Sequence, residues 1–225
     1  MVEPAAQRDG SKTGQRRFAG AIYLVLFALA AAWLLSAVQQ RTYQRIADNE
    51  LAERLKSLRD LLPEGRYNNE PHKDFMFATS ADLLGSENPL PVYRVRRGAQ
   101  PVAAVLTAVA PNGYAGKIHM LVSIDVQGKL IGVRVTAHRE TPGVGDGIEV
   151  KKSGWIKGLA GLTAADPMVP EWLLERDGGA FDQLTGATTT SRAVLIAARN
   201  AVIYFNDHTE EIFSAPSEFI TEVKR

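Results

Sequence analysis

Residues Phe18 to Val38 read FAGAIYLVLFALAAAWLLSAV, 21 consecutive positions without a charge. At about 1.5 Å of rise per residue a helix of this length spans ~32 Å, close to the thickness of a bilayer core. No other stretch of the chain approaches it. Arg8, Lys12, Arg16 and Arg17 precede the stretch and hold its N-terminal side in the cytoplasm. Tyr23 and Trp33 stand towards its ends, where aromatic rings favour the interface. The expected organisation is a cytoplasmic N-terminus (1–17), a transmembrane helix (18–38), a helical stalk (39–65) and an extracytoplasmic domain (66–225). The other reading is a cleaved signal peptide, with Ala28-Leu29-Ala30 as the small-residue site, although Trp33, Leu34 and Leu35 continue the apolar run beyond it. Both readings place everything after residue 40 outside the cytoplasm.

That placement bounds the chemistry. The 225 residues contain no cysteine, so thiol catalysis, thiolate metal sites and disulfides are excluded. The domain must be stable through its core alone. Lys plus Arg total 26 and Asp plus Glu 25, which leaves no basic excess for nucleic acid. The four histidines show no metal-ligand spacing.

In 41–62, Ile46, Leu51, Leu55, Leu58 and Leu62 recur at helical spacing and form one apolar stripe, which Pro63-Glu64-Gly65 ends. Residues 66–90 read as polar loop with a short helix near Ser80–Leu84. Val92–Arg97 and Val102–Val109 read as strands. Lys117–Val126 and Lys129–His138 read as a hairpin turning at Gln127-Gly128, so that opposite positions sum to 255. Ile118, Met120, Val122, Ile124 and Val126 then share an apolar face with Ile131, Val133, Val135 and Ala137. Ser123, Asp125, Arg134 and Thr136 face water, as in a half-buried antiparallel sheet. His119 lies diagonally from His138 on that polar face, with no third ligand for a metal. Trp155–Leu162 and Glu171–Arg176 read as short helical pieces. The last long helix is expected from about Ser191 to Phe213, with Val194, Leu195, Ala198, Ala201, Val202 and Phe205 on its apolar face. The fold class is α+β, an antiparallel sheet with packed helices after a single N-terminal transmembrane helix.

The segment Asp182-Gln183-Leu184-Thr185-Gly186-Ala187-Thr188-Thr189-Thr190-Ser191 enters that helix. It is a small-residue turn followed by hydroxyls at a helix N-terminus, where free N–H groups and the helix dipole favour an anion such as phosphate. Gly186 and Ala187 let a bulky group approach the backbone. The same residues also suit plain capping by Thr190 or Ser191. No GxxxxGK[ST] and no nucleophile–base pair is present, so no catalytic residue is assigned.

These residues carry a resemblance. Asp182-x-x-Thr185-Gly186-Ala187-Thr188 resembles the acceptor pattern of FMN-binding domains modified by a flavin transferase. Glu140-Thr141-Pro142-Gly143-Val144-Gly145, about 40 residues upstream, resembles a loop typical of the G subunits of Rnf electron-transport complexes. Trp155-Ile156 and the single anchor fit the same family. Val144 stands where leucine is usual, a mild change of an apolar contact.

The resemblance implies FMN joined by a phosphoester to Thr188, with Thr185, Gly186, Ala187 and Thr189 around the attachment. Thr189, Thr190 and Ser191 could donate to the phosphate oxygens. Glu140, Thr141 and Val144 would stand near the flavin ring, with Pro142 covering a face. Lys151, Lys152 and Lys157 could balance a reduced flavin or simply be solvated. The cofactor supplies the redox chemistry, and the protein positions it. The implied role is an electron relay in a bacterial inner-membrane complex that couples electron flow between ferredoxin and NAD to ion movement. Its partners would be the other membrane subunits and the flavin transferase. The C subunit of the sodium-pumping NADH:quinone oxidoreductase shares the Gly-Ala-Thr motif and is the alternative. A membrane-anchored binding domain without redox chemistry is the third reading.

Overall fold

The computed structural model describes residues 26–39, 41, 56–62, 65–165 and 171–218. The chain divides into two compact units, Met1–Ala52 and Glu53–Arg225. In the first unit, 26–39 is helical. Positions 18–25 of the expected span, and Ile46, Leu51 and Leu55 of the expected stalk, lie outside the described residues. Among the described residues no helix is long and apolar enough to cross a membrane.

The second unit is built on a five-stranded antiparallel meander in the order β1-β2-β3-β4-β5. The strands are β1 (Phe75–Ser80), β2 (Ser86–Arg97), β3 (Gln100–Gly113), β4 (Gly116–Asp125) and β5 (Leu130–Ala137). A long helix, Thr188–Ser214, lies across one face, and short 3-10 helices at Gly145–Ile148, Trp155–Leu159 and Glu175–Asp177 fill the connections. This agrees with the expected α+β class for the domain.

Strand β3 shows how the layers are made. Ala104, Leu106, Ala108 and Ala110 join the core beneath the helix, whereas Ala103 and Val105 join a second core on the opposite face. The alternation is the period of two that a strand imposes. The helix meets the sheet with Ala193, Ala197, Ala198 and Ala201, all buried. Small side chains on both surfaces bring helix and sheet close together. Val194, Leu195, Val202 and Phe205 complete the apolar stripe anticipated from the sequence.

The other face of the sheet is not the water-facing surface expected. Leu58, Leu61 and Leu62 pack on Val95, Ala103, Val105 and Leu121. Two leucines of the expected stalk stripe, Leu58 and Leu62, therefore cover the sheet instead of facing solvent. Ser123, assigned to the polar face, is fully buried there.

The β4–β5 hairpin keeps the expected register only in its middle, where Met120, Leu121, Val122 and Ser123 pair with Val135, Arg134, Val133 and Gly132. At the turn, Asp125 N–H donates to Lys129 O at 2.9 Å, so the loop contains three residues instead of two. The Asp125 carboxylate caps it, accepting from Gln127 and Lys129 N–H at 2.9 Å each. A bulge between Ser123 and Ile124 restores the register. The extra residue turns Leu130 into the main core and Ile131 onto the second face, the reverse of the expectation for Ile131.

Three local expectations are also corrected. The segment read as polar loop contains β1, an edge strand that buries Phe75, Met76 and Ala78. Ser80–Leu84 is a turn held by Leu84 N–H to Ser80 O at 3.0 Å and Leu83 N–H to Ser80 Oγ at 3.1 Å. The long helix starts at Thr188, three residues before the expected Ser191.

Candidate functional site

Antiparallel order places the site. The β3–β4 turn, between Gly113 and Gly116, stands at the end of the sheet to which β5 returns, because His119 pairs with Ala137. The loop that follows β5 therefore emerges beside that turn. The long helix brings its first turn to the same place. The result is a cleft of about 420 Å³ lined by Tyr114, Glu140, Thr141, Val144, Gly145, Gly186, Ala187, Thr188, Thr189 and Thr190. Segments some 45 residues apart in sequence, Glu140–Gly145 and Gly186–Thr190, thus form opposite walls of one site.

Glu140 ties the walls together. It is 4% exposed. Ala115 N–H donates to its Oε1 at 3.0 Å, and Thr190 Oγ donates to its Oε2 at 2.5 Å. One carboxylate thus links the β3–β4 turn, its own loop and the helix. Its backbone N–H donates to His138 Nδ1 at 3.1 Å, while His138 Nε2 lies 3.1 Å from Glu149 Oε1. A ring nitrogen that accepts must be unprotonated, so the proton of the neutral ring sits on Nε2 and donates to Glu149. His138 is therefore a brace for the loop. His119 is exposed on β4. Among the described residues no cluster suits a metal ion.

Beyond Glu140 the loop is folded on Thr141 O, which accepts from Val144 N–H at 3.2 Å and Gly145 N–H at 2.9 Å. Gly143 N–H donates to Asp146 Oδ1 at 2.8 Å. That bond, aided by Lys152 at 3.4 Å, holds the Asp146 carboxyl below its ordinary range. Gly145 is required by contact: a Cβ there would lie 2.9 Å from Glu140 Cβ. Val144 points outward and is 43% exposed, an apolar side chain held in a polar-rimmed cleft.

On the opposite wall, Gly186 adopts φ +77° and lets the chain turn sharply into the helix. A side chain there would meet Val144 Cγ1 at 3.4 Å. Ser191 does not cap the helix. Its hydroxyl accepts from Leu184 N–H at 3.1 Å and donates to Ala187 O at 3.0 Å. Ala187 occupies the cap position, and no side chain caps the first turn. Thr190 is turned to Glu140. The capping alternative considered from the sequence is thus absent, and the first-turn N–H groups carry no side-chain acceptor.

Thr188 begins the helix with its hydroxyl in the cleft, where Arg176 Nη1 donates to Oγ1 at 3.1 Å. Thr189 is exposed beside it, and Thr185 is exposed just outside the lining. Lys151, Lys152 and Lys157 do not line the cleft, and Lys152 is drawn to Asp146. Two residues at the site escaped sequence reasoning. Tyr114 is 74% exposed at the tip of the β3–β4 turn, and a tyrosine in a Pro-Asn-Gly-Tyr turn was the available signal. Arg176 lies in the short 3-10 helix Glu175–Asp177, which carries no motif.

Comparison with known proteins agrees with this geometry. The FMN-binding domain family matches residues 113–203, which span both walls of the cleft. The RnfG N-terminal region matches residues 18–61. One similar relative is the G subunit of the ion-translocating oxidoreductase complex of Pseudomonas aeruginosa strain UCBPP-PA14, 44% identical and covering 88% of this chain and 92% of that protein. The G subunit from Shewanella baltica OS223 is 41% identical over 86% of this chain and 91% of its own length. The one from Shewanella oneidensis MR-1 is 40% identical over 87% and 92%. The match to the G-type N-terminal region together with these near full-length relatives separates the chain from the C-type alternative. The chain belongs to the G subunits of ion-translocating oxidoreductase complexes of the Rnf type, with an FMN-binding domain at residues 113–203.

Proposed function

We propose that this chain relays electrons through one FMN held covalently, by its phosphate, on Thr188. The observation that supports this is the meeting of Thr188 and the Glu140–Gly145 loop in one cleft. The residues present suit the group. A cleft of about 420 Å³ is within the size range of cofactor sites. The bare helix N-terminus offers N–H groups and a positive dipole end to the charge that a phosphodiester keeps. Gly186 leaves the backbone open beside the attachment point. Val144 and Tyr114 present apolar surface on which a flat ring can rest. Glu140 ties the two walls together, and Thr141 in the lining would offer a hydroxyl to the flavin. The flavin supplies the redox chemistry. Thr188 is its attachment point, not a nucleophile in electron transfer.

A tether has a physical purpose in the expected location. With 18–38 as a single membrane span, the N-terminus is cytoplasmic and the domain periplasmic, where a dissociated FMN would not be replaced. The other subunits of the ion-translocating complex are its partners in the inner membrane, and a flavin transferase matures it. The electron flow served is that between ferredoxin and NAD.

The test is intact mass after co-expression with the transferase. The wild type gains one FMN less a water, with in-gel flavin fluorescence that survives denaturation, and Thr188→Val gains nothing. An adduct that persists in the variant, or an unmodified wild type, rejects the attachment.

A further inference from the structure

The lining of the cleft contains no lysine or arginine, and its one carboxylate, Glu140, is buried and engaged by Ala115 and Thr190. A phosphodiester on Thr188 would meet the helix N-terminus but no side-chain cation in the lining, so any such cation must come from the rim. Among the described residues, the cation bonded to the attachment oxygen is Arg176, whose Nη1 donates to Thr188 Oγ1 at 3.1 Å.

Arg176 is exposed, and an isolated surface contact of this kind contributes little. Two features make it more than that. First, its turn is fastened to the helix. Asp177 accepts from Arg192 Nε at 2.7 Å and Nη2 at 2.8 Å, a two-pronged contact one helical turn beyond Thr188. The Arg192 bonds hold the Asp177 carboxyl below its ordinary range, and Arg176 adds to the effect. Second, the other side of the turn is anchored in the core. Glu175 N–H donates to Phe181 O at 2.7 Å, and Trp172, fully buried, lies 5.9 Å from the Phe181 ring. Arg176 therefore approaches Thr188 from a rigid turn. A guanidinium beside a phosphate makes charge-assisted, paired hydrogen bonds that a hydroxyl alone cannot accept.

We infer that Arg176 is the cationic partner of the phosphate on Thr188, with the Asp177–Arg192 pair as the latch that positions it. The inference rests on the attachment proposed above. Arg176 binds the linkage and sets the direction in which the tether leaves the helix.

The experiment uses the full chain, matured with its flavin transferase, as wild type, Arg176→Lys, Arg176→Gln and Thr188→Val. Intact mass scores the adduct, thermal melting scores folding, and the ³¹P resonance of the adduct is compared in folded and denatured protein. In the wild type the folded resonance is displaced from the denatured one. Arg176→Lys keeps most of the displacement, Arg176→Gln loses it, and all adducts coincide in denaturant. Failure of Arg176→Gln to acquire the adduct, with Arg176→Lys modified and both melting like wild type, also supports the assignment. An Arg176→Gln adduct with the wild-type resonance overturns it, as does loss of the adduct from both variants, since Lys preserves the charge. A wild type without adduct, or an adduct on Thr188→Val, rejects the attachment itself and is read separately from the Arg176 result.

Discussion

The two ends of the Thr188–Ser214 helix are treated in opposite ways. At the C-terminal end the carbonyls are taken up by arginines. Arg94, fully buried, donates to Ala215 O and, at 3.4 Å, to Ile212 O, while Arg96 donates to Phe213 O at 2.7 Å. Asp74 holds both guanidiniums, at 2.7 and 3.0 Å. Ser217 joins them, accepting from Arg94 at 2.7 Å and donating to Asp74 at 2.9 Å. The charges also suit the negative end of the helix dipole. At the N-terminal end no side chain caps the helix, and three threonines line an open cleft. One end has its carbonyls taken up by side chains, and the other has no side-chain cap. The helix is interrupted at His208, where φ is −121° and ψ 16°, so the arginine-held carbonyls belong to its last short piece.

The comparison can be broken from either side. The largest effect is expected at the locked end. Arg94→Met leaves Asp74 and the last carbonyls without their main partner, and should lower unfolding free energy by about 3 kcal/mol. Urea unfolding measures this. Below the transition the variant should still acquire flavin at Thr188, and a loss of attachment in the folded protein would show that the ends are not independent.

Next is Thr190→Val, which takes the hydroxyl from the buried Glu140. The expected cost is about 2 kcal/mol, and the share of chain carrying flavin should fall because the walls of the cleft lose their tie. Unaltered loading would show that the remaining bond to Ala115 is sufficient.

A smaller change tests the open end directly. Ala187→Ser gives the helix a capping hydroxyl and should stabilise the unflavinylated chain by about 1 kcal/mol. Attachment should slow, because the cap competes with phosphate for the first-turn N–H groups. A time course by intact mass decides this.

The last effect is a pH dependence confined to acid, because the contribution of Asp74 is full and constant near neutral pH. Burial pushes its carboxyl up, but the Ser217 hydrogen bond and the charges of Arg94 and Arg96 outweigh this, and the net direction is down. A carboxyl lowered on folding contributes stability above its unfolded value of about 3.9 and loses it as pH falls through the lower folded value. Melting temperature should therefore drop more steeply below about pH 4 in the wild type than in Asp74→Asn. Equal slopes would remove Asp74 from the acid response.

Much of the site was legible because its parts are local. The Gly186–Thr188 turn stands out through its glycine and hydroxyls at a helix start, and the Glu140–Gly145 loop through its glycines and proline, its place at the site being implied only by the family resemblance. The strands Val92–Arg97 and Val102–Val109 and the apolar stripe of the long helix were equally readable, since period carries them. What failed depended on counting or distance. Asp125 captures two N–H groups and adds a residue to the hairpin loop, which no alternation pattern reveals. Edge strand β1 has only one partner, so its FMFATS sequence lacks the long apolar run of a central strand. The role of Glu140 as a tie was invisible because its partners, Ala115 and Thr190, are 25 and 50 residues away.

The sequence by itself determined the charge-free run at 18–38, the lack of thiol chemistry, the antiparallel hairpin and the hydroxyl-rich Gly-Ala-Thr turn, because each depends on neighbouring residues alone. Only the tertiary structure decided that both sheet faces are covered, that Arg176 reaches Thr188, and that one helix end is closed by arginines while the other stays open. Those outcomes depend on which groups the folded chain brings within hydrogen-bonding distance. Long-range contacts of that kind follow from the packing of the whole domain and leave no period or spacing in the chain.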